Sequence, residues 1–180
     1  MGFTALADER LAEAAREQVG ITLDYDPSYV AIPYPGGDVP QETGTCADVV
    51  VRALRKLGID LQKEIHEDMK RHFSAYPARR MWSQKRPDKN IDHRRVPNQM
   101  VYFKRQGWSL PVTEDSADYL PGDIVTCLIG GTIPHAMIVS NRKSGNGTPL
   151  CFHNIGNGTE EEDCLFSFDL TGHYRVKLRR

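Results

Sequence analysis

The reactive side chains of this 180-residue chain are four cysteines and six histidines. A thiol becomes a useful nucleophile as its thiolate, and the first turn of a helix stabilises that anion through aligned peptide dipoles and unpaired backbone N–H groups. Cys46 stands at such a point: Gly44 and Thr45 break the preceding chain, and an apolar helical period begins directly after it. The chemistry also needs a base. His135 opens the strand-like run His135-Ala136-Met137-Ile138-Val139-Ser140, where a side chain is rigidly held yet close to solvent. In Leu150-Cys151-Phe152-His153-Asn154 the two-residue period puts Cys151 and His153 on one face. One hairpin separates the two runs, so His153, helped by Asn154, can sit beside His135 and orient its ring. Cys46, His135 and His153 are thus expected to act as nucleophile, base and orienter.

The remaining reactive residues point to less. His66, His72, His93 and His173 read as hydrogen-bonded structural residues. Cys127, Cys151 and Cys164 read as buried small apolar residues or one optional disulfide, because no C-x-x-C pair and no zinc-ligand spacing occurs. A metal site of Cys151, His153 and His135 lacks a fourth ligand at suitable spacing, so neither a metal nor an organic cofactor is expected.

The elements that must position these residues follow from periodicity. Residues 4–19 form an amphipathic pattern ending at Gly20, and residues 23–40, rich in Tyr, Pro and Gly, read as an ordered loop. From Cys46 to Leu57, Val49, Val50, Ala53, Leu54 and Leu57 recur at helical intervals, with Gly58 as the stop. A further helix is expected over 62–73. The last third changes to short β-branched and aromatic runs at 123–128, 136–140, 150–155, 165–168 and 174–178, expected as consecutive antiparallel strands. Helices packed on one antiparallel sheet make an α+β fold, and the length suits a single domain over residues 1–180.

Net charge −1 removes the electrostatic case for a nucleic-acid partner, and no apolar run is long enough to span a membrane. Residues 76–98 carry three prolines and no sustained period, and read as a long surface insertion. Seven basic residues there, Arg94 and Arg95 among them, face two acidic ones. That insertion is either a solvated face or a lip that draws in a carboxylate-bearing substrate. The charges on Asp8, Glu9, Arg10, Glu13, Arg16 and Glu17 rule the first twenty residues out as the apolar core of a secretory signal.

Several phrases carry a resemblance. Tyr34-Pro35-Gly36-Gly37, Gly44-Thr45-Cys46-Ala47-Asp48-Val49-Val50, Pro134-His135-Ala136-Met137-Ile138-Val139-Ser140 and Phe152-His153 resemble the NlpC-type branch of papain-like cysteine peptidases, which cut bacterial cell-wall peptides. Gly58-Ile59-Asp60-Leu61-Gln62, the run from Arg86 to Asn98, Pro121-Gly122-Asp123-Ile124-Val125 and Gly172-His173-Tyr174-Arg175 are similar to the domain-of-unknown-function family 1287, over nearly the whole chain. The resemblance implies a papain-like fold, with Tyr34 as the upstream tyrosine at the oxyanion, Cys46 as nucleophile, His135 as base and His153 as third member. Asp48 departs from the small residue usual after the cysteine. It could cap the helix or bind a substrate amine, and its charge opposes the thiolate.

The expected activity is therefore a cysteine peptidase or amidase acting on peptidoglycan stem peptides, as wall remodeller or secreted antibacterial effector. The expected location is the periplasm or outside the cell, with a cytoplasmic pool before export and a leader outside this chain. A cognate immunity or inhibitor protein would partner an effector. The alternatives are a papain-like acyltransferase, in whose permuted form the histidine precedes the cysteine, and a catalytically inactive wall-binding module.

Overall fold

The computed structural model of the chain describes residues 8–177. Asp8 opens the first helix: its carboxylate accepts the Arg10 backbone N–H at 3.1 Å, satisfying one of the donors a helix start leaves free. This helix, α1, runs Glu9–Arg16. Part of the stretch expected to be helical, residues 4–7, lies outside the described residues. After Arg16 the chain winds through turns to Gly20, whose φ of 77° is left-handed. Leu11, Ala12 and Ala15 form the fully buried face of α1.

The two central helices follow their periodicity. Helix α2 spans Cys46–Lys56 and α3 spans Leu61–His72. The loop expected over 23–40 contains a short strand, β1 at Asp24–Tyr25, paired in parallel with β2 at Thr43–Gly44. Residues 76–98 depart further from expectation. They hold a short helix, α4 at Ala78–Trp82, and a single 3₁₀ turn at Asp92–Arg94 whose three residues are all buried. Helix α5 follows at Val96–Arg105. Pro97 belongs to its first turn, where a missing N–H breaks no helical bond, so proline there marks a helix start rather than a loop.

The sheet has six antiparallel strands: β3 at Ser109–Leu110, β4 at Ile124–Ile129, β5 at Ile133–Lys143, β6 at Pro149–Asn154, β7 at Thr159–Glu162 and β8 at Asp169–Tyr174. Their order, β3-β8-β4-β5-β6-β7, corrects the expectation of consecutive neighbours, because β8 returns to lie between β3 and β4. The strand expected at 165–168 is a turn that buries Leu165 against the sheet. The actual edge strand, β7, reads Thr-Glu-Glu-Glu, a polar run of the kind that keeps an edge from pairing with other chains. The last strand ends at Tyr174, where one was expected to begin.

Side chains alternate across this sheet. Ile124, Ala136, Ile138 and Phe152 pack against α1, α2 and α5 in the larger core. Val125, Cys127, Met137, Val139 and Cys151 face the other way and are covered by Tyr119, Cys164 and Leu165 from the loops. Helices on one face of an antiparallel sheet confirm the α+β class. Among the described residues, no helix is long and apolar enough to cross a membrane.

Candidate active site

Cys46 is the first residue of α2, and two carboxylate contacts lock that helix start. Asp48 Oδ2 accepts the Thr45 backbone N–H at 2.7 Å and the Thr45 hydroxyl at 3.0 Å. The Arg94 guanidinium then clamps the same carboxylate through two bonds, Nε to Oδ1 at 2.8 Å and Nη2 to Oδ2 at 2.9 Å. Arg94 also donates to the carbonyls of Ser28 and Asp26, so its donors are spent inside the protein. Asp48 and Arg94, expected to meet substrate, are a buried ion pair with side chains 2% exposed. Of the two roles open to Asp48, the structure shows the capping one.

Cys46 lines a cleft of about 310 Å³ together with Tyr25, Tyr29, Arg94, Arg95, Val96 and Pro134. The residue itself is 4% exposed. Burial drives its thiol up to about 11. The backbone N–H groups of Ala136, Ala47 and Cys46 pull the other way, and the Asp48 charge adds to the rise. The sulfur therefore lies against β5 one residue beyond His135. Its resting form at neutral pH is the thiol.

His135 and His153 meet as the strand spacing predicts. His135 Nε2 lies 2.9 Å from His153 Nδ1, and the rings cross edge to face at 5.1 Å. Both are buried. Burial, with the neighbouring His153, holds His135 down at about 3, so it is neutral. His135 pairs across β4 with Cys127 and touches Phe168, which places its Cβ on the sheet face opposite Ala136. No hydrogen bond joins Cys46 to His135 among the described residues; the nitrogen that remains for a thiol is Nδ1 of His135. The β5–β6 ladder begins only at Ile138, opposite Phe152.

Two site residues escaped the sequence reading. Glu162 of β7 accepts from His153 Nε2 at 2.7 Å, extending the relay to His135–His153–Glu162. Its cue was faint, one glutamate among three on an edge strand. Burial pushes His153 down, but hydrogen bonds to the Cys164 sulfur and the Glu162 carboxylate leave it above its ordinary value. The Cys164 sulfur sits 3.6 Å from His153 Nε2. Contact with Cys151, opposed by burial and aided by His153, brings the Cys164 thiol down to about 6. All four cysteines are free.

The second missed residue is Tyr25. It lines the Cys46 cleft, whereas Tyr34 is elsewhere: its hydroxyl donates to Glu67 at 2.8 Å and its ring meets His66. Burial and the nearby Cys46 and Asp48 charges raise Tyr25, so it keeps its proton and can donate. Asn154 is also reassigned. Its Nδ2 donates to the carbonyls of Asp24 and Gly44, tying β1 and β2 to the sheet rather than touching His135. Arg95 does face the cleft, stacked 4.0 Å over Trp82 and donating to Gln84 Oε1 at 2.8 Å, and no carboxylate pairs with it among the described residues. The seven basic residues of 76–98 do not form one lip: Arg79 and Arg80 line a different cavity, and Lys85, Arg86 and Lys89 a third. Among the described residues, no three His, Cys, Asp or Glu side chains stand together as they would around a metal ion.

Comparison with known proteins adds relatives without adding chemistry. Residues 12–176 match a family model described as a domain of unknown function, DUF1287. The chain is 52% identical over 169 residues to the uncharacterized protein YijF of Escherichia coli (strain K12), an alignment covering 94% of this chain and 82% of that protein. No solved structure matches the chain.

Proposed function

We propose that this chain, which belongs to the DUF1287 family of domains of unknown function, is a cysteine-dependent hydrolase that cleaves an amide bond in peptidoglycan stem peptides, working in the periplasm or outside the cell. The observation that carries this reading is a helix-first cysteine opening onto a cleft beside a strand whose histidine heads a three-member relay. The NlpC-type motif resemblance supplies the substrate class, and the papain-like identity of the fold belongs to the same proposal.

In the reaction, Cys46 Sγ attacks the carbonyl carbon while its proton passes to His135 Nδ1. The oxyanion is met by the Cys46 backbone N–H and the Tyr25 hydroxyl, donors of a kind worth roughly 2.7–4 kcal/mol each in acyl transfer. His135 returns the proton to the leaving amine as the C–N bond breaks. Water, deprotonated by His135, then hydrolyses the thioester and restores the thiol. Arg95 is the cation free to hold a stem-peptide carboxylate in the cleft. Closure of the His135 ring on Cys46 must precede the first step, because no hydrogen bond joins them at rest.

That resting separation, with a thiol pushed up to about 11, favours one second reading, an inactive module that uses the cleft only to bind wall peptides. Purified sacculi incubated with wild type and Cys46→Ala, followed by mass analysis of released fragments, separate the two. Fragment release by wild type alone is expected. Equal release by the two proteins would remove Cys46 from the reaction, and no release by either, with undiminished binding to sacculi, would replace the hydrolase with the binder.

A further inference from the structure

Two cavities flank the start of α5. Val96 lines the Cys46 cleft, while Pro97, its neighbour in the chain, lines a larger groove of about 1050 Å³ bounded by α3, α4 and α5. The rim of this groove is cationic: Lys70, Arg71, Arg79 and Arg80 line it, and no carboxylate does. Lys70 is held by Glu67 at 3.1 Å. Arg71, Arg79 and Arg80 are exposed and make no ion pair or side-chain hydrogen bond among the described residues, although the chain as a whole carries 24 acidic residues against 23 basic ones. Three neighbouring guanidinium groups without a counter-charge repel one another, and an anion placed among them relieves that repulsion.

The floor is apolar. Phe73, Met100 and Val101 are half-buried there, and Met81 is 45% exposed. A ligand that fits must combine negative groups with apolar ones. Guanidinium forks match carboxylates in pairs of parallel hydrogen bonds. A bilayer surface meets flat or protruding faces, whereas a concave groove of this volume admits a length of chain.

We propose that this groove binds an acidic peptide segment, its carboxylates on Arg71, Arg79 and Arg80 and its apolar side chains on Met81 and Phe73. The site is independent of the Cys46 chemistry, so it holds whether or not the chain is a hydrolase.

The test uses the whole chain and a dye-labelled short peptide of repeating Glu-Glu-Leu, with a Lys-Lys-Leu control. Expected is saturable binding of the acidic peptide alone, weakened by added salt. The triple variant R71Q/R79Q/R80Q should bind at least about tenfold more weakly, with the triple lysine variant intermediate because it keeps charge but loses the fork. Cys46→Ala should bind as wild type does. Met81→Glu, a change at an exposed side chain, serves as a second probe and should also weaken binding. No saturable binding, affinity equal to that of wild type in both Met81→Glu and the triple variant, or binding to anionic phosphatidylglycerol vesicles with none to the peptide would each overturn the proposal.

Discussion

Whether His135 can act as a base depends on where two protons sit. For its Nδ1 to accept from Cys46, its Nε2 must carry the proton and donate to His153 Nδ1; His153 Nε2–H must then donate to Glu162, the 2.7 Å contact. A protonated His153 reverses this, donating through Nδ1 and forcing the His135 proton onto the wrong nitrogen. Because Cys164 and Glu162 keep the His153 pKa raised against its burial, the competent tautomer is emptied below that raised value and filled above it. Activity should therefore rise with pH through the His153 titration. Glu162→Gln removes a charge that favours protonated His153, so the acid limb of the rate profile should move to lower pH. Rate profiles on a wall-peptide substrate check this, and an unmoved limb would show that Glu162 has no hold on the relay. Cys164→Ser should move the limb in the same direction.

At the scale of elements, the decisive joint is the start of α2. Asp48 caps it, Arg94 from the 3₁₀ turn clamps Asp48, and Gln99 of α5 donates to the Ala47 carbonyl at 3.1 Å. The 3₁₀ turn and α5, both distant from α2 in the chain, thus converge on the two residues after Cys46. Buried ion pairs resist the loss of one partner, since the survivor is left uncompensated, at a cost of about 3–5 kcal/mol. Arg94→Met should lose stability of that order in urea denaturation, more than Arg95→Met, whose guanidinium has no carboxylate partner. Equal losses would mean that the Asp48–Arg94 contact does little to hold the helix start. The Arg95→Met protein, if folded as wild type, should instead show a raised KM for carboxylate-bearing wall peptides.

Across the whole molecule, a second buried carboxylate ties the helical layer together. Asp68 on α3 accepts from Arg105 on α5 at 2.6 Å and from the Tyr76 hydroxyl at 2.7 Å. Burial raises the carboxyl, yet Arg105, Tyr76 and His72 outweigh it and hold the group at about 2. A depressed carboxylate contributes stability that is present above its unfolded pKa near 3.8 and is lost as pH falls toward 2. The shift corresponds to about 2 kcal/mol. Asp68→Asn should be less stable than wild type at pH 7, and the difference should shrink between about pH 4 and pH 2 in thermal melts. A gap that stayed constant across that window would assign the stability to shape rather than charge.

Much of this layout was legible from periodicity. Helices α2 and α3, strands β4 to β6, the α+β class and the meeting of His135 with His153 all follow from local patterns, because a 3.6- or two-residue period is imposed by one buried face. What escaped depended on contacts remote in sequence. Arg94 and Arg95 are adjacent and alike in type, but only packing sends one into Asp48 and the other over Trp82. The motif resemblance points to Tyr34, but the β1–β2 pairing carries Tyr25 to the Cys46 cleft instead. Glu162 pairs with Cys151 and reaches His153 diagonally, from a strand too polar to be foreseen. The sequence determined which faces are apolar and where a thiol meets a helix start; the tertiary structure decided which charges are neutralised inside. Burial and long-range pairing act on each side chain through neighbours that the chain order does not reveal.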